Sequence, residues 1–145
     1  MSVNSNASSS NAKPIFKHPV TIREQHLDSY GQVNTAIYLT LFEEARWELI
    51  TQGEYGYQQV HDRKVGPIIL EINLKFLKEI KLRENITITV ELMSYEGKIA
   101  KLKQLMLKSN GDIAAELICT VALFDLTARK MILPTPEWLK AIGHY

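Results

Sequence analysis

The sequence predicts an α+β domain in which one long helix lies against a curved antiparallel sheet, and three observations carry that expectation. Between Asn34 and Gly53 the apolar residues recur at helical spacing. From Leu70 onward they fall largely at a spacing of two, through successive segments bounded by turn residues. No second long helical stretch is visible. One amphipathic helix and a run of strands bury their apolar faces by stacking as two layers.

Ile15 to Gln25 is expected to form the first strand. Pro14 and Pro19 cannot donate to a ladder and place that strand at or near a sheet edge. Asp28 to Asn34, rich in Ser, Gly and Asn, is turn-like. Then Tyr38, Leu41, Phe42, Ala45 and Leu49 share one helical stripe, with Thr40, Glu44, Arg46 and Glu48 largely off it. Asn34 is the expected N-cap and Gly53 the terminating glycine of a helix of about five turns.

Leu70, Ile72, Leu74 and Phe76 alternate with Glu71, Asn73 and Lys75, and Ile86, Ile88, Val90 and Leu92 alternate with Thr87, Thr89 and Glu91. Both are patterns of half-buried antiparallel strands. A further strand over Lys98 to Ser109 changes phase near Gln104, the mark of a bulge. Asn110-Gly111 signals a hairpin into Asp112 to Asp125, whose few polar residues put it in the middle of the sheet. Thr135 and Pro136 open a short C-terminal helix through Trp138, Leu139 and Ile142.

The 145 residues are the size of one domain, and 46% hydrophobic with 23% charged is near the globular average. A net charge of +1 supplies no field that would draw the chain to nucleic acid or an anionic membrane. Lysines gather at Lys75, Lys78 and Lys81 and at Lys98, Lys101 and Lys103, runs that are more often solvated strand faces than phosphate sites. Cys119 is the only cysteine and sits among Leu117, Ile118 and Val121. It is expected to pack as a thiol, in a protein of a reducing compartment such as the cytoplasm.

The longest apolar runs fall short of the ~20 residues of a membrane span. Residues 1–13 are expected to be a flexible tail on a single domain of residues 14–145. Five Ser and three Asn among the first twelve leave no secretory apolar region, although a Ser-rich, acid-poor start is also a weak mark of a transit peptide.

The stretch that carries chemistry is His26-Leu27-Asp28-Ser29-Tyr30-Gly31-Gln32-Val33-Asn34-Thr35, with Tyr38 and Phe42-Glu43-Glu44-Ala45-Arg46 beyond it. It sets an acid just before a glycine turn that opens the long helix. A helix N-terminus offers unpaired amides and a partial positive charge. Those groups can hold a developing oxyanion while Asp28 attacks a carbonyl or activates water. Taken alone, an Asp in this position is more often a capping or turn residue.

These residues resemble the signature of hotdog-fold thioesterases of the 4-hydroxybenzoyl-CoA thioesterase type, D-x-x-G-x-V-N-x-x-x-Y leading into a helix that bears F-E-E-A-R. Asp28, Gly31, Val33, Asn34 and Tyr38 match, as do Phe42, Glu43, Glu44, Ala45 and Arg46. The order of strands also fits, so the resemblance spans about Val20 to Trp138. It implies a hotdog fold, a sheet wrapped around the long helix, in a homodimer or a homotetramer. It implies hydrolysis of an acyl-CoA or acyl-carrier-protein thioester without metal or bound cofactor, CoA being part of the substrate.

The resemblance makes Asp28 the catalytic carboxylate, as nucleophile or general base, and the main-chain amide of Thr35 the oxyanion donor. Gly31, Asn34 and Tyr38 are expected around the substrate. Many members carry G-H-V-N-N where this chain has Gln32 and Thr35, a departure that points to a different substrate branch or to a relative that binds thioesters and cleaves them poorly.

Related thioesterases of other branches use a helix-borne Glu as the catalytic acid, which singles out Glu43 and Glu44; the alternative is a solvent-facing acid or a partner for Arg46. His26 either lines the pocket, orients Asp28 or finds an ordinary polar partner. Gly66 opens the second strand and matches a family glycine near the pocket, and a turn explains it equally well. Lys98, after Gly97, falls near family residues that contact the CoA phosphates, or is a solvated strand charge. The four His and sixteen acids show no metal-ligand spacing. Two further functions stand as alternatives: a non-catalytic acyl-CoA-binding protein, and a hydratase or dehydratase of acyl thioesters, which the absence of His from the helix disfavours.

Overall fold

The computed structural model describes residues 14–143, so the expected tail over residues 1–13 lies outside the described residues. The elements run β1 (Phe16–Thr21), a 3-10 turn (Glu24–His26), α1 (Thr35–Gln52), α2 (Tyr57–Arg63), β2 (Val65–Phe76), β3 (Asn85–Glu96), β4 (Ile99–Leu107), β5 (Ile113–Asp125), β6 (Lys130–Ile132) and α3 (Pro136–Ile142). The strands form one antiparallel sheet in the order β1-β3-β4-β5-β2, with β6 folded back on the end of β5. The proline-bearing β1 is at an edge, and β5 lies between β4 and β2 with Ala115, Leu117, Cys119, Val121 and Leu123 all buried.

The long helix starts and stops where the sequence sets it. The Asn34 side chain accepts the Ala36 amide at 2.8 Å, and Gly53 caps the other end. The reason for Gly53 differs from the expected one. Its φ is −83°, an ordinary value, and a Cβ there would stand 2.5 Å from the Cα of Ala141, so glycine lets α3 pack against the end of α1. Tyr38, Leu41, Phe42, Ala45 and Ile50 are the buried face of α1. The Thr135 hydroxyl caps α3, and buried Trp138 donates its indole N–H to the Tyr95 hydroxyl at 3.1 Å.

Three expectations are corrected, and one short helix, α2, has no counterpart in the sequence reading. The first strand ends at Thr21, because Ile22 turns fully into the core and the chain then enters the 3-10 turn. α2 has no apolar stripe, only Val60 among Gln58, Gln59, His61 and Asp62, and so left no periodic signal. β2 opens at Val65, one residue before the expected Gly66, but its stretch from Leu70 to Phe76 is not half-buried: Ile72 is 38% and Phe76 52% exposed, because β2 is the free edge of the sheet. Gln104 is no bulge either. The register of β4 is unbroken there, and Leu102, Gln104 and Met106 all point inward. The apparent change of phase is a single polar residue facing the core.

Candidate functional site

Asp28 sits, half-buried, at the base of a tight loop pinned by a bridge between Leu27 and Val33. Its amide donates to the Gln32 carbonyl at 2.7 Å, and its own carbonyl accepts the Gly31 amide at 3.1 Å. Gly31 has φ +80° with nothing near the place of a Cβ, so glycine is required there by conformation alone. The carboxylate oxygen Oδ1 accepts the amides of Tyr30 at 2.9 Å and Gln32 at 3.1 Å. Among the described residues Oδ2 takes no hydrogen bond, so one oxygen is anchored and the other is available for chemistry.

Asn34 closes the loop by donating its amide to the His26 carbonyl at 3.1 Å. In the first helical turn the Ala36 amide is taken by the Asn34 side chain, and those of Ile37 and Tyr38 by the Asn34 carbonyl. Among the described residues the Thr35 amide has no acceptor. It is an N–H at the positive end of an 18-residue helix, the kind of group that stabilises an oxyanion.

Tyr38, one turn further on, is buried and meets Phe76 edge-on, with ring centroids 4.9 Å apart at 88°. Burial pushes its hydroxyl pKa up, and the nearby Glu79 carboxylate adds to that. A cleft of about 430 Å³ opens here, lined by Gln32, Val33, Tyr38, Phe76, Leu77 and Glu79.

The remaining candidates divide. The His26 ring accepts the Arg23 amide through Nδ1 at 2.9 Å, and among the described residues it makes no hydrogen bond to Asp28. Glu44 binds Nε2 of His18 at 2.8 Å rather than Arg46. Glu43 is exposed and lies eight residues beyond Thr35, about 12 Å along the axis, so one chain does not bring it to Asp28. Gly66 is the second residue of β2, so it opens that strand as expected, and no turn explains the glycine. A Cβ there would stand 2.5 Å from Cγ1 of Val60, so glycine lets α2 lie on β2.

Lys98 occupies the two-residue turn between β3 and β4, exposed beside Gly97 at φ +59°. Ile99 pairs with Ala122 of β5 whereas Phe76 pairs with Ala115, which puts the Lys98 turn on the order of 20 Å from the Asp28 end of the sheet. Within one chain Lys98 is therefore not part of the Asp28 site.

A second concavity was not foreseen. Toward the far end of α1 a cavity of about 90 Å³ is lined by Glu43, Arg46, Trp47, Pro67, Ile69 and Val121, among others. Arg46 donates through Nη1 to Oε1 of Gln104 at 2.8 Å, and Gln104, fully buried, donates its Nε2 to the Phe42 carbonyl at 3.0 Å. The polar residue at an inward position of the strand was the one sequence signal for it.

A curved antiparallel sheet carrying a helix in this way is the fold of the hotdog thioester hydrolases. More particularly, a model of the thioesterase-like superfamily matches residues 20–142, and the chain belongs to that family. The long-chain acyl-CoA thioesterase FadM of Escherichia coli K12 is 30% identical over 114 residues, which cover 78% of this chain and 86% of FadM. The structure of YbaW from Escherichia coli superposes with a TM-score of 0.78 at 26% identity, over 89% of this chain and 97% of YbaW. That of SAV2348 from Staphylococcus aureus, in complex with CoA, gives a TM-score of 0.85 at 20% identity, over 93% and 87% of the two chains. Among the described residues no helix is long and apolar enough to cross a membrane.

Proposed function

We propose that the chain hydrolyses an acyl-CoA thioester to the free acid and CoA, with Asp28 as nucleophile or general base and the Thr35 amide as oxyanion donor. The observation that carries this reading is the pairing of a half-tethered carboxylate with an unoccupied helix-start amide on the same short loop. In the nucleophilic route Asp28 Oδ2 attacks the thioester carbonyl, the thiolate leaves and takes a proton, and water then cleaves the acyl-Asp28 anhydride. In the general-base route Asp28 takes a proton from water as that water attacks, and the proton passes to the departing sulfur. The oxyanion of either route lies against the Thr35 amide.

Similarity to FadM supports CoA as the thiol carrier and a long acyl chain. An acyl-carrier protein is the other thiol carrier open to this site. Gly31 and Asn34 shape the loop, and Tyr38 walls the cleft beside the thioester.

The active form is a homodimer or a homotetramer, and the support is β2. Its free edge leaves Ile69, Leu70, Ile72 and Phe76 exposed, an apolar strand edge that favours pairing. Two copies related by a twofold axis pair such edges antiparallel. That puts the Phe76 end of one chain, with its Asp28, beside the Val65 end of the other, and the second chain's Lys98 turn then lies toward the CoA. We place the reaction in the cytoplasm, because the only thiol, Cys119, is buried and its pKa is raised by that burial, which suits a packing role and no disulfide.

The test is thiol release from a panel of acyl-CoAs by the purified protein. Turnover with a chain-length optimum supports the reading. Tight binding of acyl-CoA without release of thiol would make the chain a binding protein instead.

A further inference from the structure

The cavity beside Arg46 has polar groups that a plain hydrocarbon chain does not need. Arg46 lies partly buried in an apolar lining of Trp47, Pro67, Ile69 and Val121. One of its five N–H donors is spent on Gln104, and among the described residues no carboxylate comes within 4.0 Å of its guanidinium. Gln104 is itself fixed by the Phe42 carbonyl, so the guanidinium is held in place from behind. Glu43, one turn back on the same helix, lines the same cavity and accepts no hydrogen bond among the described residues.

The cavity therefore presents a donor-only group and an acceptor-only group at its wall, within an otherwise apolar space. A methylene chain would leave the free donors of the partly buried Arg46 facing no acceptor, although the exposed Glu43 still meets water. A carboxylate would suit Arg46 and be repelled by Glu43, and an ammonium would meet the reverse. A hydroxyl accepts from one and donates to the other.

We propose that this cavity takes the acyl part of the substrate and selects an acyl chain carrying a hydroxyl group, held between Arg46 and Glu43. The inference rests on the acyl-thioesterase reading above and deepens it by naming the substrate class. At about 90 Å³ the cavity has room for a short stretch of chain and its oxygen, below the ~150 Å³ of an apolar cavity that holds benzene. It lies beside Pro67 and Ile69 near the start of β2, the part of the sheet that antiparallel pairing brings toward the second chain's Asp28.

The test compares acyl-CoAs of one chain length, unsubstituted or with a hydroxyl at successive positions, using the full-length wild-type protein. At one position or a narrow range, kcat/KM is expected to rise about tenfold or more over the unsubstituted chain, since a site that hydrogen-bonds a hydroxyl rejects the analogue lacking it. The ratio of hydroxylated to plain substrate should fall toward one in Arg46→Lys and in Arg46→Met. If Arg46→Met does not fold, Arg46→Lys and the wild-type series still decide. Hydrolysis of plain acyl-CoAs with no position at which a hydroxyl helps would overturn this inference and leave the proposed function standing. A chain ending in a carboxylate preferred over every hydroxylated one would overturn it too. Failure to hydrolyse any acyl-CoA would overturn both.

Discussion

Asp28 and Gln32 are bonded to each other twice across the loop that opens α1: the Asp28 amide donates to the Gln32 carbonyl at 2.7 Å, and the Gln32 amide donates to Asp28 Oδ1 at 3.1 Å. Both bonds use the main chain of Gln32, so the loop holds its shape whatever side chain stands there. The Thr35 position is alike, since its role falls to a backbone amide. The two departures from the common family pattern therefore leave the geometry around Asp28 intact.

That loop turns on Gly31. Gly31→Ala adds a Cβ that meets nothing, but it forces an L-residue to φ +80°. The expected loss of stability is about 1–2 kcal/mol, the cost of the left-handed conformation. The displaced carboxylate should lower kcat by about ten- to a hundredfold. Thermal melts and steady-state rates on the same preparation check both. An unchanged kcat in a destabilised variant would separate the turn from the chemistry.

Ile72 stands on the exposed β2 edge, on the helix side of the sheet, where it pairs with Cys119. Light scattering at micromolar concentration should give the mass of a dimer or tetramer. Ile72→Lys should shift it toward the monomer and remove activity with it. A wild-type monomer that hydrolyses thioesters would rule out a site shared by two chains.

Lys98 makes a point-charge contact at most, exposed and screened by salt. Lys98→Ala should raise KM for acyl-CoA several-fold with kcat nearly unchanged, the pattern of lost uniform binding. A truncated thioester without the nucleotide should be unaffected. Equal effects on the two substrates, or none on either, would return Lys98 to the role of a solvated turn residue.

Much of this was legible in the sequence because local rules suffice for it. Asn34 caps through its own side chain, Thr135 and Pro136 start α3, and the alternation of β3 follows from one buried face. What was not legible depends on distant partners. Gly53 and Gly66 are glycines because Ala141 and Val60 press against them, which no local pattern reveals. The exposure of β2 follows from its place at the sheet edge rather than from its alternation. Gln104 broke the strand pattern, and only the structure shows that its polar end grips α1 at Phe42 and Arg46.

Gln104 thus has a measurable consequence for stability. Gln104→Leu keeps the bulk but strips the partly buried guanidinium of its partner, which should cost about 1–3 kcal/mol. Urea unfolding at constant m-value checks this. A loss under about 0.5 kcal/mol, within the range of ordinary surface substitutions, would mean that Arg46 is satisfied elsewhere.

The most direct measurement is the turnover of Asp28→Asn on the preferred acyl-CoA. Asparagine keeps an oxygen able to accept the Tyr30 and Gln32 amides, so the loop and the melting temperature should be preserved. It removes the charge that either attacks the carbonyl or deprotonates water. With the fold intact, kcat should fall by ~10²-fold or more. A folded Asp28→Asn protein that turns over at close to the wild-type rate would contradict the assignment of Asp28 as the catalytic carboxylate.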